Sequence, residues 1–107
     1  MKTPDEILKE QILLTLNRIG VSLKEIILFG SRARGDFDKH SDYDILLITE
    51  KTFTIKGKME IAEEIRDRLA RLGIASDIII KSEEEVEYFK TKIGSVVREA
   101  LKEGIVL

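Results

Sequence analysis

Cysteine is absent from this sequence, which excludes a disulfide scaffold and a cysteine-ligated zinc site and permits a reducing compartment. No apolar run approaches the roughly 20 residues needed to span a bilayer. The charged start Met1-Lys2-Thr3-Pro4-Asp5-Glu6 does not have the form of a signal peptide. A cytoplasmic protein with no membrane partner is therefore expected. A basic stripe is missing too. The net charge is -2, so long nucleic acid is not the expected partner. Amides are scarce: Gln11 and Asn17 stand alone against 18 basic and 20 acidic residues. That bias is a mark of proteins from hot environments and predicts a high melting temperature.

What is present suits one folded unit. The 107 residues are 43% hydrophobic and 36% charged, enough for a single core under a polar surface. One domain over residues 1–107 is expected. Thr3-Pro4-Asp5-Glu6 reads as a helix start in which Thr3 caps, Pro4 takes the first helical position and Glu6 closes a capping box. Apolar residues follow at broadly helical spacing until Gly20 stops the helix. Residues 24–29 read as a strand, apolar enough to be buried on both faces. Residues 31–41 form a polar loop that can open with a helical turn at Ser31, and residues 42–49 a second strand. Residues 50–57 read as a turn or a short edge segment around 53–55. The helix period returns at Met59, Ala62, Ile65, Leu69 and Leu72, which predicts a helix over 58–72 ended by Gly73. Residues 76–80 are a third strand. Ser82-Glu83-Glu84-Glu85 is a second capping box, opening a helix to about Lys92. Gly94 breaks it, residues 93–103 resume it, and Gly104 releases an apolar tail, Ile105-Val106-Leu107.

One stretch carries chemistry. Gly30-Ser31 ends the first strand, and after ten residues Asp42-Tyr43-Asp44 begins the second. Alternate side chains of a strand share a face, so Asp42 and Asp44 project together and Tyr43 points away. Adjacent carboxylates repel unless a cation lies between them, and hard oxygen ligands favour Mg2+ or Mn2+. Gly30 lets backbone approach a ligand closely and Ser31 adds a hydroxyl, a pairing that suits phosphate. Nucleotide chemistry follows. Gly30-Ser31 meets the acids only if the first two strands are antiparallel. The 58–72 helix is long enough for a right-handed crossover to a parallel third strand, which sets Asp77 beside Asp42 and Asp44. The order α-β-loop-β-α-β-α-α then makes an α/β (α+β) fold, a small mixed sheet with helices packed on it.

Gly30-Ser31-x10-Asp42-x-Asp44, set in Gly-Ser-Arg-Ala-Arg-Gly (30–35) and joined by strand-initial Asp77, resembles the minimal nucleotidyltransferases of the DNA polymerase beta superfamily over most of the chain. The resemblance implies the polymerase-beta-like nucleotidyltransferase fold. It implies transfer of AMP from ATP, a nucleoside triphosphate, to an acceptor hydroxyl, with pyrophosphate leaving. It further implies that Asp42, Asp44 and Asp77 are catalytic and hold Mg2+, as two ions, with Asp77 able to accept the hydroxyl proton. Gly30 and Ser31 would cradle the triphosphate. Arg32 and Arg34 are candidates for phosphate contacts, since guanidinium pairs bidentately with phosphate oxygens. Phosphoryl transfer asks mainly for positioning and neutralised charge, which two metals about 3.5–4 Å apart supply to both attacking and leaving oxygens. Larger relatives carry a second domain for the acceptor. None is expected here, so a partner or a second copy in a homo-oligomer is expected to complete the acceptor site. Small members of the group are commonly encoded with a helical HEPN-domain protein. The resemblance implies an antitoxin that adenylylates its toxin on a tyrosine.

Two other functions compete on the same residues. One is a non-catalytic antitoxin that neutralises its partner by covering it. The other is a transferase acting on a small-molecule hydroxyl, as in relatives that modify antibiotics. Several residues have plain structural readings. His40 reads as a solvated loop residue, Glu83-Glu84-Glu85 as a helix start complementing the helix dipole, and Tyr88 and Phe89 as core packing from one helix. Ser31 reads as a helix cap, a role compatible with binding phosphate.

Overall fold

The computed structural model describes residues 1–107. The elements run α1 (Pro4–Ile19), β1 (Leu23–Phe29), α2 (Ser31–Arg34), β2 (Tyr43–Thr49), α3 (Ile55–Ala70), β3 (Ser76–Ser82), α4 (Glu83–Phe89), α5 (Val96–Glu103) and β4 (Ile105–Val106). The strands form one mixed sheet in the order β3-β2-β1-β4. β1 and β2 are antiparallel, β2 and β3 parallel, and β4 returns antiparallel along β1. The strand pairings expected from the site argument are thus those observed.

The two faces of the sheet bury different helices. On one, Leu8, Ile12 and Leu16 of α1 and Ile61, Ile65 and Leu69 of α3 meet Ile26, Leu28, Ile45 and Leu47. On the other, Ile27, Phe29, Leu46 and Ile48 pack on Ala100 of α5, with Val86 of α4 alongside. Ile45, Leu46 and Leu47 of β2 are 0% exposed, which is why that strand reads as an unbroken apolar run. Each such side chain contributes about 1.5–3 kcal/mol on burial. Three of the buried hydroxyls are satisfied, while Ser76 Oγ at the start of β3 is buried without a hydrogen-bond partner. Thr15 donates to the Gln11 carbonyl at 2.8 Å, Thr49 to the Lys51 carbonyl at 2.8 Å, and Ser82 accepts from Thr52 at 2.7 Å.

Several boundaries differ from the sequence reading, each for a local reason. At Thr3 the capping box is half made. The Thr3 hydroxyl accepts the Glu6 N–H at 3.1 Å, but the Glu6 carboxylate bonds the Thr3 hydroxyl rather than its backbone. No edge segment forms around 53–55. Instead Thr54 caps α3 by accepting the Gly57 N–H at 3.0 Å, so the helix begins three residues before 58. α4 stops at Phe89, and the Ser95 hydroxyl donates to the Phe89 carbonyl at 2.8 Å while capping α5 through the Arg98 N–H. The apolar tail is not free: Ile105 pairs with Leu28 and Val106 with Ile27. Tyr88 and Phe89 are not core residues. They stack edge to face at 4.8 Å, Tyr88 is 62% exposed, and Lys92 and Lys81 lie over their rings.

Candidate active site at the end of the sheet

β1 delivers the chain to Gly30, which adopts φ 73° and ψ −158°, a conformation essentially reserved for glycine. A second constraint acts there. A Cβ on Gly30 would lie 2.1 Å from Asp44 Oδ2 and 3.1 Å from its Cγ, so the Asp44 carboxylate rests directly against the glycine backbone. Ser31 opens the single turn of α2, in which the Ala33 and Arg34 N–H groups both return to the Gly30 carbonyl at 3.1 Å. The cap of this turn is Gly30 itself, with no side-chain bond, so Ser31 is not the cap expected from the sequence.

The antiparallel register sets Phe29 opposite Asp44, and the parallel register sets Asp77 beside Asp44. Asp44 alternates with Leu46 and Ile48, so it faces the side of the sheet that carries α4 and α5. Tyr43 faces the other way and packs against the α1/α3 core. Burial pushes the Asp44 carboxyl above its ordinary value, and the charges of Asp77 and Asp42 push it further, while Arg34 opposes and Glu103 adds. Asp42 and Asp77 are exposed and Asp44 is half-buried. As they stand, no three acidic side chains close into a cage for a metal ion. Mg2+ commonly takes only one or two carboxylates and completes its shell with phosphate oxygens and water, so this donor set suits it. A half-buried carboxylate raised by two neighbouring carboxylates is also relieved by a cation.

The two arginines part company. Arg32 is held in the loop, with its guanidinium 4.3 Å from the Phe37 ring centre and 4.4 Å from that of Tyr43. Its Nε and Nη2 donate to the Ser41 carbonyl at 3.1 and 3.0 Å. That clamp shapes the segment leading into Asp42. Arg34 stays on the acid side, paired with Asp36 at 3.2 Å and with Glu103 at 3.2 Å. Glu103 is the residue that sequence reasoning missed. It ends α5, belongs to no motif, and accepts the Gly30 N–H at 3.1 Å. His40 is an exposed loop residue, as read. A groove of about 590 Å³, lined by Arg32, His40, Tyr43 and Ile74 among others, opens beside Tyr43, on the reverse side of β2 from the carboxylates.

Comparison with known proteins bears on this geometry. The family model described as a nucleotidyltransferase domain matches residues 9–107. Two proteins of Methanocaldococcus jannaschii, both provisionally named protein adenylyltransferases, are similar in sequence. One is 38% identical over 79% of this chain and 78% of its own length, the other 35% identical over 78% and 77%. Among solved structures, a toxin–antitoxin crystallised with AMP-PNP superposes with a TM-score of 0.62 at 21% identity, covering 92% of this chain and 70% of that one. A nucleotidyltransferase-like protein of Sulfolobus solfataricus superposes at 0.60 with 25% identity over 92% and 73%. A chain from the complex of a tri-AMPylated HEPN toxin with its MNT antitoxin, from Shewanella oneidensis, superposes at 0.55 with 19% identity over 94% and 68%.

Proposed function

The chain belongs to the nucleotidyltransferase domain family, and we propose that it transfers AMP from ATP to a hydroxyl of a protein acceptor, a tyrosine of a HEPN-type toxin, as the antitoxin of the pair. The observation that carries this reading is the Asp44 carboxylate seated against Gly30, with Asp77 in the neighbouring register position and Asp42 two residues away. The adenylyltransferase names of the archaeal relatives support the reaction. The structural neighbours, one crystallised with AMP-PNP and one an AMPylated toxin with its antitoxin, support the nucleotide and the partner.

In this reading Asp42 and Asp44 hold Mg2+, and Asp77 completes the set. When bound, the metal supplies neutralisation of the triphosphate charge. Gly30 and Ser31 give the phosphates a backbone they can approach without a side chain in the way. Arg34 is the arginine placed to meet a phosphate oxygen, because Arg32 is committed to the Ser41 carbonyl and two rings. The acceptor oxygen bonds to the α-phosphorus, the bond from that phosphorus to the bridging oxygen breaks, and pyrophosphate leaves. Asp77, exposed at the sheet end, takes the hydroxyl proton.

The intact mass of the partner protein after incubation with Mg-ATP tests this. Wild type is expected to add one or more adenylyl units. Asp44→Asn is expected to lose at least about a hundredfold of the rate, since an electrostatic group acting on transition-state charge is removed. A stable complex with no mass change in either sample would replace the transferase by an antitoxin that works through binding alone.

A further inference from the structure

Glu103 stands outside the Gly-Ser and acidic motifs, yet it reaches their loop from the far end of the chain. Its Oε1 accepts the Gly30 N–H at 3.1 Å, and both of its oxygens take Arg34 Nη1 at 3.2 Å. Its side chain is 25% exposed, against 47% for Arg34. The placement is built by the backbone that follows. A Cβ on Gly104 would lie 2.2 Å from the Ala100 carbonyl oxygen and 2.3 Å from Ile27 Cγ2. Only a glycine lets α5 end this close to β1. The next residue, Ile105, pairs with Leu28, two residues before Gly30.

The groups Glu103 engages are the ones a phosphate oxygen uses: a backbone N–H at a glycine and a guanidinium. A carboxylate has been delivered to that place although Asp42, Asp44 and Asp77 already crowd the sheet end. We infer that Glu103 is a positioning residue that competes with the triphosphate for the phosphate-binding donors, the Gly30 N–H and the Arg34 guanidinium. Glu103 thereby sets affinity for the pyrophosphoryl part of the nucleotide. The inference rests on the nucleotide site proposed above. Arg34 must leave Glu103 before it can turn to a phosphate, and the incoming phosphate meets a like charge. A mere brace for the loop predicts the opposite sign, because removing a brace loosens the site and weakens binding.

Equilibrium binding of ATP, pyrophosphate and adenosine, with Mg2+ and no acceptor, separates these cases in wild type, Glu103→Gln and Asp36→Asn. Glutamine keeps an oxygen for the Gly30 N–H and drops the charge. Asp36, whose side chain is 63% exposed, is the other carboxylate on Arg34 and can be changed without risk to the core. Glu103→Gln is expected to bind ATP and pyrophosphate about tenfold more tightly, a coupling of ordinary size, with adenosine unchanged. Asp36→Asn is expected to move the same way by less. Unchanged or weaker binding of ATP and pyrophosphate by Glu103→Gln overturns the inference and leaves the nucleotide site standing. If a melting curve shows that Glu103→Gln does not fold, unchanged pyrophosphate affinity in Asp36→Asn overturns it instead. Wild type that binds no ATP overturns the proposed function and this inference together.

Discussion

At the scale of single residues, Gly30 carries two demands at once, a positive φ and direct contact with Asp44. Gly30→Ala meets both penalties. It is expected to lose about 1–3 kcal/mol of stability from the backbone alone, read by urea unfolding. It is also expected to lose transfer activity beyond what that stability change explains, because Asp44 must move. Gly30, Asp42 and Asp44 were singled out by their spacing, and Asp77 only through the expected parallel pairing of β3 with β2. The different uses of Arg32 and Arg34 were not legible, since two arginines two residues apart look equivalent until the rings of Phe37 and Tyr43 enclose one of them. Glu103 was invisible for the same reason: its role is defined by a partner 73 residues away.

At the scale of elements, caps decide where helices begin, and one cap is tied to an ion pair. Ser82 and Glu85 form the full capping box of α4, and Glu85 also accepts from Lys58 of α3 at 2.5 Å. Burial alone would raise the Glu85 carboxyl, but its bonds to Lys58 and the Ser82 backbone outweigh burial and hold it below its ordinary value. A carboxyl lowered in the folded state stabilises fully above the ordinary carboxylate range and stops doing so as pH falls through its lowered value. Glu85→Gln is therefore expected to unfold at lower urea than wild type at neutral pH, with the gap closing in strong acid. Ser82→Ala removes the cap and is expected to cost about 1 kcal/mol at any pH, measured by the same titration.

Across the molecule, the sheet is covered on both faces, and no helix is long and apolar enough to cross a membrane. Ion pairs link separate elements, as Arg18–Glu64 links α1 to α3 and Lys58–Glu85 links α3 to α4. Together with the near absence of amides, these pairs lead us to expect thermal unfolding above the roughly 45–65 °C range of mesophile domains. Calorimetry checks it, and a transition within that range would show that the charge-rich composition serves another purpose.

Local signals are strong in this chain and agree with one another. Thr3, Pro4 and Gly20 bound α1, the apolar run of β1 marks a strand buried on both faces, the meeting of Gly30-Ser31 with the acids requires β1 and β2 to be antiparallel, and the length of α3 suits a crossover to a parallel β3. Those features were readable because each depends on neighbours in sequence or on one geometric requirement, the meeting of Gly30 with Asp44. Tertiary structure alone decided that the Ile105–Val106 tail becomes a strand, that α4 stops at Phe89, and that Tyr88 lies outside the core. It also decided that Glu103 arrives at Gly30. A two-residue strand has no period to detect. A carboxylate at a helix end looks like any solvated charge until the close approach of Gly104 to Ala100 and Ile27 holds the end of α5 against β1, within reach of Gly30.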